Sequence, residues 1–544
     1  MRRMPPLNLP TLRALAGVPA PEASFESLRG FGRREILRGG AALAAFALLS
    51  RTPVARASAW PAAADSPFTL GVASGDPDAT SVVLWTRLAP DPLAGGGMGP
   101  TPVPVRWEVA TDPAMNDVVR SGEEIASAED AHSVHATVQG LVPDRWYWYR
   151  FIVNGVASPI GRTRTFPDPR VVAQRLRFAL TSCQDWQAGL YTAWRDISEQ
   201  DLDCVLHVGD YIYEGGISRQ AIRQHHGGEI FTLEEYRNRH ALYRSDPWLQ
   251  RAHALFPFIV TWDDHEVDNN YANDVQEQNA PREAFLERRA NGYRAYYEHM
   301  PLRREAKPVG PDMNLYRFFD FGRLARLSVL DTRQFRTDQP CGDLLRVPCA
   351  GVFDPSATMT GAEQERWLLR NLLLSRARWN VIAQQVMMMQ MNYAAGISAD
   401  QQLFIMDVWD GYFEARRRIL EWIARYRIRN TIVLAGDIHS AWAGDLKPDF
   451  DRPESPIVGS EFVCTSVSSG FQTDLVGLVT LGIPGNPHIK YFNGLQRGYT
   501  LCDVTPQAWT SHFRVASTTS DVFAPVTTAR SFVVQHGVPG LVPA

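Results

Sequence analysis

The chain is poor in lysine and cysteine and holds no long apolar run and no block of like charge. Lysine occurs only at Lys307, Lys447 and Lys490, so nearly all 55 basic residues are arginine, whose planar fork suits carboxylate and phosphate oxygens. Six cysteines in 544 residues are too few for a disulfide scaffold. Only Cys341 and Cys349 bracket a short polar loop that an oxidising compartment could close as a bridge. Cys204, Cys464 and Cys502 lie in apolar, strand-like runs and carry no evident chemistry. No apolar run reaches the roughly 20 residues of a bilayer-spanning helix. Residues 1–59 hold nine Arg and three Glu, which leaves 46 basic and 56 acidic groups for the rest. An acidic body of this kind excludes a dedicated nucleic-acid binder. What remains is an ordinary globular composition, 45% apolar and 21% charged, long enough for two domains or more.

Read in order, the chain opens on a Pro-scattered stretch, then Phe31-Gly-Arg-Arg-Glu-Ile-Leu-Arg38, an apolar run over 39–49 and small residues at 54–59. Paired arginines, a weakly apolar segment and A-x-A options in that order resemble a twin-arginine export signal. Residues 66–167 alternate apolar and polar positions at 81–87, 105–110, 132–138 and 146–153, with turn residues between. This texture predicts a small antiparallel immunoglobulin- or fibronectin-like sandwich, with Leu141 to Tyr147 as its corner. His132 and His135 read as surface strand residues. From 175 to 515 short apolar runs alternate with helical periodicity at 190–200, 233–243, 282–300, 361–374 and 411–428, which predicts a layered α/β domain. Thr360 with Glu363 reads as a capping box. Residues 516–544 form a tail that could cover a site.

Five apolar runs end in polar clusters: Ser182-Cys-Gln, Gly209-Asp-Tyr-Ile-Tyr-Glu214, Trp262-Asp-Asp-His-Glu266, Asp331-Thr-Arg-Gln334 and Gly436-Asp-Ile-His439. Each taken singly has a plain reading as a turn, a cap or a local ion pair. Five of one kind point to ligand binding at the carboxyl edge of a sheet. Asp210, Asp264 and Asp437 are hard oxygen donors, Cys183 a thiolate, Tyr213 a phenolate and His439 an imidazole. A phenolate ligand at neutral pH calls for a strong Lewis acid such as ferric iron. Asp210 at its strand tip is placed to bridge two metals, and such pairs clamp a phosphoryl group. Arg333 can fork onto phosphate oxygens.

Together with Leu70-Gly-Val-Ala-Ser-Gly-Asp-Pro77 and Ser81-Val-Val-Leu-Trp-Thr-Arg87, these clusters resemble those of the PhoD family of alkaline phosphatases, a branch of the calcineurin-like metallophosphoesterases. The resemblance runs from about 68 to 515. It implies a four-layer core of two sheets with flanking helices, and one Fe³⁺ with two Ca²⁺. Carried onto this chain, Cys183 and Tyr213 ligate iron, Asp210 bridges iron to calcium, and Asp437 and His439 complete the cluster. Asp264, Asn269 and Asn270 are alternatives for a further ligand, with Asp264 and Asn270 together preferred. Ser-Cys-Gln stands where the wider superfamily has Asp-x-His. The implied reaction is in-line hydrolysis of a phosphate monoester by water activated on the metals, with His265 or Arg333 stabilising charge or protonating the leaving group.

Two other readings stand beside it. One is a phosphodiesterase or phospholipase D-type hydrolase on the same metals, with phospholipid headgroups rather than small phosphate esters as substrate. The other is an exported binding module with a structural metal site. The loops 214–230 and 388–411 are expected at the entrance. A monomer that meets the twin-arginine translocase on its way to the periplasm, cell surface or medium completes the expectation.

Overall fold

The computed structural model describes residues 66–398 and 401–544, so the expected export signal at 1–59 lies outside the described residues. Short runs of Val, Ile, Leu and Phe form strands buried on both faces, as a sheet covered on both sides requires. Two sheets face each other. The first has ten strands, in spatial order Val542–Pro543, Val526–Gln535, Ala508–Ala516, Gly498–Val504, Leu176–Thr181, Cys204–His207, Pro257–Val260, Val72–Gly75, Val82–Arg87 and Ser133–Val138. The second has seven: Arg317–Phe321, Ala325–Val329, Trp379–Ala383, Thr431–Ala435, Gly459–Val463, Ala441–Leu446 and Ile489–Asn493.

Pairing is parallel where strands and helices alternate in the chain. Parallel neighbours need crossovers, and the helices Gly361–Leu374 and Phe413–Arg425 carry two of them in the second sheet. Between the sheets, Phe178, Leu180, Leu206 and Ile259 meet Leu327, Val329, Val381 and Leu434. The alternate residues Ala179, Val205, Phe258 and Val260 point the other way, as a period of two dictates. They pack under the helices Thr192–Ser198, Leu233–Arg244, Pro247–Leu255 and Arg282–His299 through Trp194, Tyr236, Leu249 and Tyr293. The core is the expected layered α/β sandwich.

The N-terminal strands are less separate than their alternation suggests. Val103–Ala110, Val118–Ala126 and Trp146–Val153, with two short strands, form a sheet of their own. It packs Val105, Val109, Tyr149 and Phe151 against Val72, Leu84, Val134 and Ala136, and Val142 donates its amide to the Tyr147 hydroxyl at 2.9 Å, the expected corner. The opposing strands, however, belong to the ten-stranded sheet, because Val72–Gly75 pairs in parallel with Pro257–Val260. That continuity corrects the assignment of His132 and His135 to the surface. Both are buried, and His135 stacks on Tyr297 at 4.4 Å with its Nδ1 3.0 Å from the Leu302 carbonyl.

The helix at Gly361 is also capped differently. Thr360 makes no side-chain cap; instead Thr358 Oγ1 accepts from the Gly361 amide at 2.9 Å. The capping box present is at Thr232 and Glu235. Residues 516–544 supply the strands Val526–Gln535 and Val542–Pro543, so this segment extends the sheet edge rather than forming a loose cover. Cys341 and Cys349 form a disulfide. Among the described residues no helix is long and apolar enough to cross a membrane.

Candidate metal centre and active site

All five polar clusters converge where strands of both sheets end. The turn after each strand is tight, and Cys183, Asp210, Asn270, Asp437 and His439 all take left-handed φ, between 51° and 65°. Non-glycine residues held there are strained by about 1–3 kcal/mol each, a strain found at sites where function fixes the backbone. Two glycines make the approach possible. At Gly209, with φ +118°, a Cβ would lie 2.4 Å from that of Asp263; at Gly436 it would lie 2.4 Å from Ser182 Oγ.

Three groups of donor atoms result, each within 4.8 Å: Cys183, Asp210 and His439; then Asp210, Asp264 and His265; then Asp263, Asp264 and Asp437. Asp210 links the first to the second and Asp264 links the second to the third, so the groups form a continuous row. Tyr213 joins the first. Its hydroxyl donates to Asp210 Oδ2 at 2.9 Å, accepts from Ser469 Oγ at 2.7 Å and lies 3.0 Å from His439 Nε2. His439 Nδ1 lies 3.0 Å from the Gly470 carbonyl; donation there fixes the tautomer and leaves the Nε2 lone pair facing the phenol.

The residues fit a metal. Asp210 Oδ1, Asp263 Oδ2 and Asp264 Oδ1 are buried carboxylate oxygens without a hydrogen-bond partner among the described residues, an expensive state that a cation relieves. Burial pushes the carboxyls of Asp210 and Asp437, the Cys183 thiol and the Tyr213 phenol well above their ordinary ranges. A cation bound here would displace those protons, which solvent does not. Sulfur, phenol oxygen and imidazole in the first group suit a transition metal, and the all-carboxylate third group a hard cation.

Arg333 sits differently from its expected role. Its side chain is fully buried, with Nε on Asp263 Oδ1 at 2.5 Å, Nη1 on Asp407 Oδ1 at 2.9 Å, and Nη2 3.3 Å from Asp437 and 3.4 Å from Asp264. Its fork is taken by carboxylates, which makes it a resident cation of the third group rather than an open phosphate clamp. Burial raises the Asp264 carboxyl, but Arg333 and His265 outweigh it and hold it low; Asp263 is pushed up to about 6, by burial first. His265 keeps an exposed edge (18%). Its Nδ1 lies 2.7 Å from Glu214 Oε2 and its ring 4.1 Å from that of Tyr213. Asn270 donates its backbone amide to Asp264 Oδ2 at 2.7 Å, while its side chain turns to Asp343 at 3.2 Å.

Sequence reasoning passed over the supports. Glu266 accepts the backbone amides of Asp210, Tyr211 and Asp263 at 3.1, 2.5 and 2.8 Å, and so ties two site loops together. Glu214 orients His265 and accepts the Asn269 amide at 2.9 Å. Asp407 anchors Arg333 and Arg336. The doubled acid Asp263-Asp264 was a signal for Asp263, and Glu214 and Glu266 close two of the five polar clusters, but no local pattern assigns those two their supporting role or marks Asp407. His225, expected at the entrance, is buried between the Tyr243 hydroxyl and the Gly215 carbonyl.

Residues 178–513 match the model of the PhoD-like phosphatase family, and residues 54–167 match that of its N-terminal domain. Alkaline phosphatase D of Bacillus subtilis (strain 168) is 45% identical over 536 residues, covering 96% of this chain and 90% of that protein. A solved structure of PhoD superposes with a TM-score of 0.85 at 47% identity, over 88% of this chain and 92% of the other. The purple acid phosphatase PPD1 of yellow lupin (Lupinus luteus) shares the fold, with a TM-score of 0.51 at 12% identity, over 85% of this chain and 74% of its own. The chain belongs to the PhoD-like phosphatase family.

Proposed function

We propose that this protein is an exported, metal-dependent hydrolase of phosphate monoesters. The observation that carries the reading is the row of three donor groups sharing Asp210 and Asp264, with buried carboxylate oxygens turned into it. Cys183, Tyr213, Asp210 and His439 would hold Fe³⁺; Asp264, Asn270, Asp263 and Asp437 would hold two Ca²⁺. When bound, the metals supply neutralisation of the phosphoryl oxygens and an activated water.

The chain's own residues do the rest. Arg333 holds the orientation of Asp263, Asp264 and Asp437 against their mutual repulsion. Glu214 fixes His265 Nδ1, so Nε2 is left to carry the proton delivered to the departing alkoxide. Glu266 keeps the Asp210 and Asp263 loops at the spacing the row needs. The arginine pair and small residues within 1–59 support export through the twin-arginine translocase to the periplasm, cell surface or medium, as a monomer acting on small phosphate esters.

Initial rates on a nitrophenyl monoester and the matching diester, with and without a calcium chelator, test the assignment. A monoester preference abolished by the chelator is expected, and a diester preference would move the assignment to a phosphodiesterase or phospholipase D-type enzyme. Asp210→Asn should abolish turnover while leaving the far-ultraviolet circular dichroism unchanged. Near-normal turnover in that variant would remove the proposal.

A further inference from the structure

At the opposite edge of the second sheet lies a cavity of about 500 Å³ that the catalytic reading does not use. It is built where three parallel strands begin. Arg323 precedes Ala325–Val329, Arg376 and Arg378 precede Trp379–Ala383, and Arg427 and Arg429 precede Thr431–Ala435; His536 follows Val526–Gln535. The same three strands, or the loops just after them, feed the site at their other ends, so about 17 Å of strand separates the two edges.

Its charge is unusual for this molecule. Among the described residues no carboxylate lines the cavity, and none of the five arginines makes an ion pair. The one side-chain hydrogen bond among them is long, from Arg378 to the Pro506 carbonyl at 3.5 Å. Elsewhere many arginines are tied to acids, as at Arg288 with Asp268 or Arg326 with Asp320, and others, such as Arg244 and Arg497, are tied to backbone carbonyls. Five unpaired guanidinium groups around one concavity repel one another and concentrate a positive potential there, against an acidic background.

The cavity is also pre-formed. Asn430 Nδ2 donates to the Arg378 carbonyl at 2.7 Å and Asn380 Nδ2 to the Arg429 carbonyl at 3.0 Å. The Arg378 amide donates to the Arg323 carbonyl at 2.9 Å, and the Gly537 amide to Asn430 Oδ1 at 2.7 Å. Four loops are thereby locked to one another. Arg427 occupies the position after the helix Phe413–Arg425 that glycine normally fills. Its φ is +52°, its amide donates to Ala424 and the next amide to Ile423, the paired bonds that end a helix in a left-handed residue. An arginine held there at a cost of about 1 kcal/mol directs attention to its side chain.

We propose that this cavity is a second, non-catalytic anion site that binds linked phosphates, a ligand with two or more adjacent phosphate charges. Forked guanidinium groups converging from several loops match such oxygens better than a single carboxylate. The inference does not depend on the catalytic assignment.

Calorimetric titration of full-length Asp210→Asn protein with inorganic tripolyphosphate tests it without turnover. Saturable binding is expected, weakened at least tenfold by adding Arg376→Ser and Arg429→Ser and less by Arg376→Lys and Arg429→Lys, which keep the charge and lose the fork. In the otherwise wild-type chain the serine pair should leave monoester turnover and the thermal midpoint unchanged. Binding that survives the serine pair, or citrate binding as tightly as tripolyphosphate, would overturn the proposal.

Discussion

At the scale of single residues, the site depends on side chains that touch no ligand. Glu266 uses both carboxylate oxygens to hold three backbone amides. Glu266→Gln puts an NH₂ group against at least one of those amides in either orientation of the side chain. The variant is expected to lose roughly 10–100-fold in turnover, as outer supports of metal sites do, and about 1–3 kcal/mol of stability in chemical denaturation. Retained wild-type values of both would show that the loops hold themselves. The candidate donors were legible in the sequence, because Cys183, Asp210, Asp437 and His439 each follow an apolar strand within a few residues, and the fold brings them together. Glu266 was not, since its partners are backbone amides up to 56 residues away. The surroundings of Arg333 were hidden for a related reason: its residue type advertises a phosphate fork, and only the fold brings Asp263, Asp407 and Asp437 around it.

At the scale of elements, hydrophobic periodicity found the strands that lead into the five polar clusters and the longer helices; it missed strands such as Val118–Ala126, Trp379–Ala383, Ala441–Leu446 and Val526–Gln535 and, among the helices, Pro247–Leu255 and Thr473–Gly482. The first helix hides behind a proline that serves as its opening residue, and the second carries apolar residues on an open face. The helix cap at Thr360 failed because Gly361, at φ +69°, takes the turn that the threonine was expected to make. The disulfide loop 341–349 is the element with the clearest consequence. It holds Asp343 against the Asn270 side chain, and Gln339 beside it donates to the Asn270 carbonyl at 2.7 Å. Replacing Cys341 and Cys349 by Ser should open this loop locally, ahead of the core. Limited proteolysis is expected to cut within 337–354 in the variant and not in the parent, while the main thermal transition stays in place. Equal resistance of the two would show that the hydrogen bonds suffice.

At the scale of the whole molecule, several histidines are buried as neutral rings. Burial lowers His135, His225 and His488 to about 4 each, from an unfolded value near 6.5. Depressed values mean that unfolding takes up protons. The stabilisation is complete above pH 6.5 and is lost as pH falls toward 4, by about 2 kcal/mol per histidine at pH 5 before solvent screening. Buried carboxyls raised into the same range, Glu461 to about 7 among them, act with the opposite sign, so the histidine share is read as a difference: the urea midpoint should fall less between pH 7.5 and 5 in His488→Gln than in the parent, and an equal fall in both would contradict this burial. The larger plan follows from one pairing. Because Ser74 and Gly75 are in register with Pro257 and Phe258, the N-terminal strands are stitched to the strand that ends in Asp263 and Asp264. Tension applied near residue 66 would load that junction in shear and pass straight into the acid row. A mechanical pull and the proposed cation row thus share one line through the protein, and single-molecule stretching should find the yield force rising when calcium is added.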